Sequence, residues 1–193
     1  MARTREFDTD AAVARAMDVF WCKGYEATSI ADLVEATGVQ RGSLYAAFGS
    51  KQGLYYAALD RYREELGAPM LAALSSGAGV REVVRSLLVG LVEQAVADAG
   101  RRGCLMVNAA TERLREDRGV STRVRSTVTA MQDALTDALA EAQRLGQLRE
   151  DASPAALAGF VVLAVQGIRV MGVIDPDRRR LLGAVEVALG CLD

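Results

Sequence analysis

The segment from Thr28 to Lys51 constrains the fold of this chain most, because it is patterned as two short helices around a tight turn, followed by the capped start of a third helix. Ile30, Leu33 and Val34 fall at positions i, i+3 and i+4, which gives a short helix one apolar face. Gly38 stands where that helix must end, and glycine adopts positive φ without steric cost. The segment therefore predicts a helix, a turn and a second helix.

The second helix of this segment has its apolar residues on one side. Val39, Leu44 and Phe48 form the inner face. Two short helices that cross through a glycine-containing turn leave the second one free to enter a major groove. The pattern predicts a helix-turn-helix DNA-binding unit. The outward positions of the second helix are Gln40, Arg41, Ser43 and Tyr45.

Composition narrows the possible functions. The formal net charge of −2 means that DNA affinity has to come from the placement of a few side chains rather than from bulk charge. The chain has no histidine, which excludes Ser-His-Asp and Cys-His catalysis and every histidine-containing metal site. Its cysteines, Cys22, Cys104 and Cys191, are odd in number and widely spaced, so neither a disulfide framework nor a zinc site is expected. We predict no enzyme activity, no cofactor and no metal.

Helical periodicity continues beyond the first segment and predicts an all-α protein of about nine helices. Ser153-Pro154 and Asp175-Pro176 each predict a helix cap followed by a proline in the first turn. Gly67-Ala-Pro69 and Ser75–Gly79 are predicted breaks, and a domain boundary is expected between residues 49 and 50. The predicted helices cover about 10–23, 29–36, 40–47, 51–66, 80–99, 104–115, 120–145, 154–174 and 176–192.

The last two predicted helices carry more apolar side chains than one small domain readily buries. They predict a surface that pairs with a second subunit; the alternative is that both helices simply close the core of one subunit. The longest apolar run, Ala155–Val165, is too short to span a bilayer, and Met1–Asp10 is polar. We therefore expect a cytoplasmic protein without membrane contact.

An ordered string of motifs connects the first quarter of the chain to a known family. Gly24-Tyr-x-x-Thr-Ser-Ile, Thr37-Gly-Val, Gly42-x-Leu-Tyr and Phe48-Gly-Ser-Lys resemble the DNA-binding domain of the TetR family of bacterial transcriptional regulators. Three positions depart from the family pattern: Ala47 replaces a usual His, Val34 a usual Ala, and Gln40 a usual Ser or Thr helix cap.

The resemblance implies the architecture and the partners. Residues 1–49 would form a three-helix DNA-binding domain, and residues 50–193 a helical effector-binding and dimerisation domain. The expected protein is a homodimeric repressor that pairs through its last two helices, binds a palindromic double-stranded DNA operator and is released by a small-molecule effector of unknown identity.

Phosphate contacts are predicted for Thr28 at a helix start, Tyr45 on the second helix of the motif, and Lys51 at the N-terminus of the fourth helix. Arg3 and Arg5 lie in an N-terminal arm that either follows the DNA or is merely solvated. Base edges are assigned to Gln40, Arg41 and Ser43, since arginine pairs with guanine and glutamine with adenine. Gly42 allows close approach of the backbone. The alternative for each side chain is an ordinary exposed polar residue.

Candidate effector contacts lie in the second domain, where each apolar candidate has core packing as its alternative. Asn108 and Glu112, one turn apart, either orient a polar ligand group or form hydrogen bonds between helices. Cys104 lies at a predicted helix start after two arginines, which suits a thiol that senses oxidants or electrophiles; the alternative is a buried structural thiol. The remaining candidates are Leu88, Leu91, Met106, Met131 and Gln166.

Two rival functions remain open at this stage. An enzyme on an all-α scaffold is disfavoured by the absence of histidine and of a glycine-rich phosphate loop. A helical protein-interaction module with a degenerate DNA-binding unit is the second rival, and Ala47 and Gln40 are its main support.

Overall fold

The computed structural model describes residues 7–74 and 79–192, which form ten α-helices and no strand within those ranges. The prediction of an all-α protein is confirmed. Arg3 and Arg5 lie outside the described residues. The helices are α1 (Thr9–Lys23), α2 (Ile30–Thr37), α3 (Arg41–Phe48), α4 (Lys51–Tyr62), α5 (Ala68–Leu74), α6 (Val80–Ala97), α7 (Leu105–Arg113), α8 (Arg118–Arg144), α9 (Pro154–Ile174) and α10 (Arg178–Gly190).

Local capping explains where the N-terminal helices begin and end. Ser29 and Asp32 form a capping box at the start of α2, in which each side chain accepts a backbone N–H of the other residue. Gly38 ends the helix with φ 70°, in the left-handed region. Ser50 accepts the N–H of Gly53 at the start of α4. The turns of the helix-turn-helix motif are therefore determined by short-range chemistry.

The predicted break at Gly67–Pro69 is wrong, and it accounts for the difference between nine expected helices and ten observed. A π-helical turn, Arg63–Gly67, follows α4 directly and leads into α5. In this turn the N–H of Ala68 donates to the carbonyl of Arg63, so the hydrogen-bond ladder has already shifted before Pro69. Pro69 then lies in the first turn of α5, where a missing N–H is tolerated.

The two predicted proline-containing helix starts have different outcomes. Ser153 caps α9 with Pro154 in its first turn, as expected. The last helix is different: Asp177 is its cap and accepts the N–H of Arg180 at 2.8 Å, so α10 begins after Pro176. An aspartate at position 177 offers the same capping oxygen as Asp175, and the tertiary fold uses the later one.

Two hydrophobic clusters organise the described residues. The first contains Phe20, Leu33, Leu44 and Tyr55 from α1–α4, together with the beginnings of α7 and α8. The second is formed by α6, α8, α9 and α10. Because α4 packs along α1, its buried face belongs to the first cluster. The domain boundary between residues 49 and 50 stays a prediction.

The helix α9 is long and apolar enough to cross a membrane by length and composition alone, with a mean hydropathy of 2.0. This corrects the expectation based on Ala155–Val165, because the apolar run continues to Ile174 with Arg169 as its single charged residue. Core helices satisfy the same criterion. Here α9 packs against α6, α8 and α10 through one face that includes Val161 and Val165.

Candidate DNA-binding surface and ligand cavity

The helix α3 presents its outer side to solvent. Leu44 anchors it in the first cluster at 5% exposure, whereas Gln40 and Arg41 are exposed and Tyr45 is half-buried. The guanidinium of Arg41 lies 5.3 Å from the centroid of the Tyr45 ring, so these side chains are neighbours on one surface. The side chain of Gln40 makes no capping hydrogen bond, which agrees with the weak cap expected there. This surface has the exposure that contact with a DNA groove requires.

Lys51 lies where the α1–α2 turn meets α4. Its Nζ donates to the carbonyl of Thr28 at 2.7 Å and lies 4.2 Å from the centroid of the Tyr25 ring. An ammonium group has three donors, so two remain for a phosphate oxygen. The position of Lys51 at the edge of the motif is compatible with its predicted role, which stays a prediction.

The structure contradicts a phosphate contact by the Thr28 hydroxyl. Thr28 is only 1% exposed, and its Oγ1 donates to the carbonyl of Gly24 at 2.6 Å. The helix start that suggested this role is capped by Ser29 instead. The contribution of Thr28 is structural, because it closes the α1–α2 turn and offers its carbonyl to Lys51.

Glu112 joins the DNA-binding unit to α7. One carboxylate oxygen accepts the N–H of Tyr25 and the other that of Glu26, each at 2.8 Å. Of the two alternatives for this residue, hydrogen bonding between elements is the one observed. Asn108 likewise donates from Nδ2 to the carbonyl of Arg102 at 3.0 Å. Both polar side chains therefore hold loops in place.

Asp117 joins α4 to α8 and was missed by the sequence reasoning. It is almost fully buried and accepts hydrogen bonds from the Tyr56 hydroxyl at 2.5 Å and Gln52 Nε2 at 2.7 Å. Burial alone would raise the pKa of Asp117, but hydrogen bonds from Tyr56, Gln52 and backbone N–H groups lower it to about 2. An aspartate three residues before the buried Val120 is the sequence signal of this helix cap.

Two adjoining cavities open beside α6 and α9. The first, of about 500 Å³, is lined by side chains of α1, the end of α4, α6, the loop before α7, and α9. The second, of about 430 Å³, lies between α5 and α6. Leu91, Gln94 and Arg169 line both cavities. Residues of five different elements thus surround a space of the size that small molecules occupy.

Most predicted effector contacts lie away from these two cavities, and only Leu91 lines them. Leu88 and Met131 are buried in the second cluster and Met106 in the first, so their core alternative is the observed one. The Oε1 atom of Gln166 is buried without a hydrogen-bond donor in the described part of the chain. A helical stripe of apolar residues does not show which side chains face a cavity rather than a neighbouring helix.

Cys104 lies at the start of α7, as expected; its side chain makes no capping hydrogen bond and the residue is 6% exposed. Its sulfur accepts a hydrogen bond from the Tyr62 hydroxyl at 3.4 Å, and that hydroxyl accepts one from Arg169 at 3.0 Å. Burial raises the pKa of the Tyr62 phenol, and Cys104 adds to this effect, so the phenol remains protonated and can donate. The burial of Cys104 favours the structural alternative, and the sensor remains a hypothesis.

The outer faces of α9 and α10 carry exposed apolar side chains. Leu163 and Val187 are the most exposed, at 71% and 74%. The opposite face of each helix packs into the second cluster, so the exposed side chains are not part of the hydrophobic core of the subunit. Several large exposed apolar side chains on two neighbouring helices are typical of an interface. The other exposed members, all on α9, are Phe160, Val170, Met171 and Ile174.

Comparison with known proteins identifies the class. Residues 12–58 match the model of the bacterial regulatory proteins of the tetR family, and residues 79–187 match that of the tetracyclin repressor-like C-terminal domain. The HTH-type transcriptional repressor ComR of Escherichia coli (strain K12) is 32% identical over 169 residues, covering 87% of this chain and 80% of ComR. The uncharacterized HTH-type transcriptional regulator YezE of Bacillus subtilis (strain 168) is 31% identical over 195 residues, covering all of both chains.

A solved structure agrees with these relatives. A cysteine mutant of the TetR family regulator CifR, complexed with a 26-base-pair operator DNA, superposes with a TM-score of 0.88 at 35% identity, covering all of both chains. The fold and the exposed α3 define a helix-turn-helix transcriptional regulator rather than an enzyme. The chain belongs to the TetR family of bacterial regulatory proteins.

Proposed function

We propose that this regulator is a repressor that binds an inverted-repeat operator as a homodimer and is released by a small molecule bound beside α6 and α9. The observation that carries the proposal is the exposed α3 surface around Arg41 and Tyr45, on a fold like that of an operator-bound relative. The name of ComR supports repression as the direction of control. We place the protein in the cytoplasm, where its DNA target lies.

Reading of the operator is assigned to α3 and its flanks. The Arg41 side chain can pair with the O6 and N7 atoms of guanine, and that of Gln40 can pair with adenine. The Ser43 hydroxyl can form a hydrogen bond with either base. A Cβ atom at Gly42 would meet nothing within 4 Å, so the backbone at this position is open to close approach by DNA. Tyr45 and Lys51 would hold the adjacent phosphates, because each carries a polar donor at the edge of the exposed surface.

Dimerisation is assigned to the outer faces of α9 and α10. Exposed Leu163 and Val187 lie on different helices, so a symmetric partner would bury both at a four-helix interface. Two copies of α3 are needed because one short helix contacts only a few base pairs, whereas a twofold pair reads two half-sites.

Release is assigned to the first cavity, because it touches both the DNA-binding unit and the pairing helices. Trp21 of α1 and Arg169 of α9 both line it. A ligand shifts the equilibrium only if it binds the non-DNA geometry more tightly, and a cavity that contacts both α1 and α9 would differ between two arrangements of these helices.

Selection of bound sequences from a random DNA pool, followed by footprinting, tests the proposal. We expect enrichment of an inverted repeat and protection of both half-sites. Arg41→Ala should change the selected sequence, whereas Arg125→Ala, at an exposed arginine on α8, serves as the matched control. Failure to enrich any sequence, or protection of a site without twofold symmetry, would contradict it.

A further inference from the structure

The acidic side chains around the first cavity are already paired. Asp98 forms an ion pair with Arg102 at 3.2 Å, and Glu65 forms one with Arg61 at 2.5 Å. Arg102 also lies 4.3 Å from the centroid of the Trp21 ring, which fixes its guanidinium against the cavity wall. The carboxylates of this wall are therefore not available to neutralise a further cation.

Arg101 and Arg169 are the basic groups of this wall that make no ion pair with a carboxylate in residues 7–74 or 79–192. Arg101 is exposed, whereas Arg169 is half-buried. The hydrogen-bond partner seen for its guanidinium is the neutral hydroxyl of Tyr62, at 3.0 Å. A partly buried charge without a counter-ion is costly, and a guanidinium has five N–H donors, so several remain for an anion.

The rest of the cavity wall is largely apolar. Trp21 and Leu91 are part of this lining, and α9 lies so close to α6 that a Cβ on Gly172 would meet the Ala95 Cβ at 2.5 Å. The volume of about 500 Å³ suits a small organic molecule. The wall thus combines apolar surface for the body of a ligand with the half-buried guanidinium of Arg169, which has no counter-ion.

We propose that this cavity binds a small organic anion, with its carboxylate on Arg169 and its apolar body against Trp21 and Leu91. The role of this anion as the effector rests on the function proposed above. Because Trp21 lies on α1 next to Phe20, which packs on Tyr55 with ring centroids 4.8 Å apart, the ligand contacts the helix that supports the DNA-binding unit. Occupancy of the cavity is thereby coupled to the position of α3.

Trp21 is the only tryptophan in the chain, so its fluorescence reports on this cavity. Titration should use three probes that share one apolar body: cyclohexylacetate, 2-cyclohexylethanol and 2-cyclohexylethylammonium. We expect the carboxylate to bind at least about tenfold more tightly than the alcohol, and the ammonium probe more weakly than both. Equal binding of the carboxylate and the alcohol, or no binding of the carboxylate, would overturn the proposal.

Substitution of Arg169 is the second part of this test. Arg169→Met keeps an unbranched apolar side chain and removes the guanidinium charge, so carboxylate affinity should fall at least about tenfold while alcohol affinity is kept. Arg169→Lys should recover part of the loss, and Arg125→Met should behave as the wild-type protein. Retained preference for the carboxylate in Arg169→Met would also overturn the proposal. Urea unfolding checks that Arg169→Met remains folded, because the substitution removes the hydrogen bond from Arg169 to the Tyr62 hydroxyl.

Measurement of operator binding with the same samples tests the anion site and the proposed repressor function separately. Carboxylate binding without affinity for any selected inverted repeat would leave the anion site valid and contradict the proposed function. Operator binding without carboxylate binding would contradict the anion site alone. If both hold, cyclohexylacetate should weaken operator binding by the wild-type protein and leave that of Arg169→Met unchanged.

Discussion

The carboxylate of Glu112 accepts the backbone N–H of Tyr25 at 2.8 Å, and its second oxygen accepts the N–H of the next residue at the same distance. This pair connects α7 to the turn between α1 and α2. A Cβ on Gly24 would lie 3.1 Å from both carboxylate oxygens, so the turn and the acid are closely packed. The connection fixes the orientation of the DNA-binding unit on the rest of the subunit.

Glu112→Gln should therefore destabilise the fold. The amide has one acceptor oxygen, and its NH₂ group would face a backbone N–H, so one charge-assisted hydrogen bond is lost. We expect the free energy of unfolding to fall by about 1–3 kcal/mol in urea denaturation. Glu116→Gln, at a side chain that is 75% exposed, is the control. Equal stability of the two variants would show that the connection contributes nothing.

Variants of the α3 surface should divide into two kinds. Tyr45→Ala and Lys51→Ala should weaken operator binding by about 1–2 kcal/mol whatever the base sequence, since phosphate contacts carry no sequence information. Arg41→Ala should instead relax the preference at one base position. Gel-shift titrations on the operator and on single-base variants measure both effects. Unchanged affinity in all three variants would refute the assignment.

The outer face of α9 should control the oligomeric state. Leu163→Asp places a carboxylate in the proposed interface, where it would lose its hydration, so the dimer should dissociate at micromolar concentration. Leu145→Asp is a matched control, because Leu145 is 63% exposed and lies at the end of α8. Light scattering after size exclusion reports the mass. A dimer that survives Leu163→Asp but not Leu145→Asp would place the interface elsewhere.

Asp117 should make stability depend on pH in the acid range. Its folded-state pKa of about 2 lies below the ordinary value of 3.8, so its carboxylate stabilises the fold above that ordinary value. The contribution, about 2 kcal/mol, is lost as the pH falls from about 4 to about 2. The stability difference between wild type and Asp117→Asn should shrink over this window in urea denaturation. Asp133→Asn, at an exposed position, should show no such trend.

Gly103 should tolerate substitution less well than Gly38. Both have positive φ, 66° and 70°, so alanine is strained at either position by about 1–2 kcal/mol. At Gly103 the added Cβ would also come within 2.6 Å of Val173, whereas at Gly38 it meets nothing within 4 Å. In thermal unfolding, we expect the melting temperature of Gly103→Ala to be lower than that of Gly38→Ala. The reverse order would mean that α9 moves away from this loop readily.

Local features of this protein were predictable from the sequence by itself. The outward side chains of α3, the end of α2 at Gly38 and the cap at Ser153 all depend on residues within a few positions of one another. Periodicity also indicated that α9 has more apolar surface than one subunit buries. These features follow from short-range sterics and hydrogen bonding, which act on the chain before any tertiary contact forms.

Only the tertiary structure decided which side chains meet. Tyr62 and Arg169 are far apart in sequence, as are Tyr25 and Glu112, and nothing in either local pattern identifies its partner. An apolar stripe shows that a helix face is buried but not against what, so Leu88 and Met131 were indistinguishable from cavity residues. The cavity and the hydrogen bonds between helices arise from the relative placement of whole helices, which the free energy of packing the entire core determines.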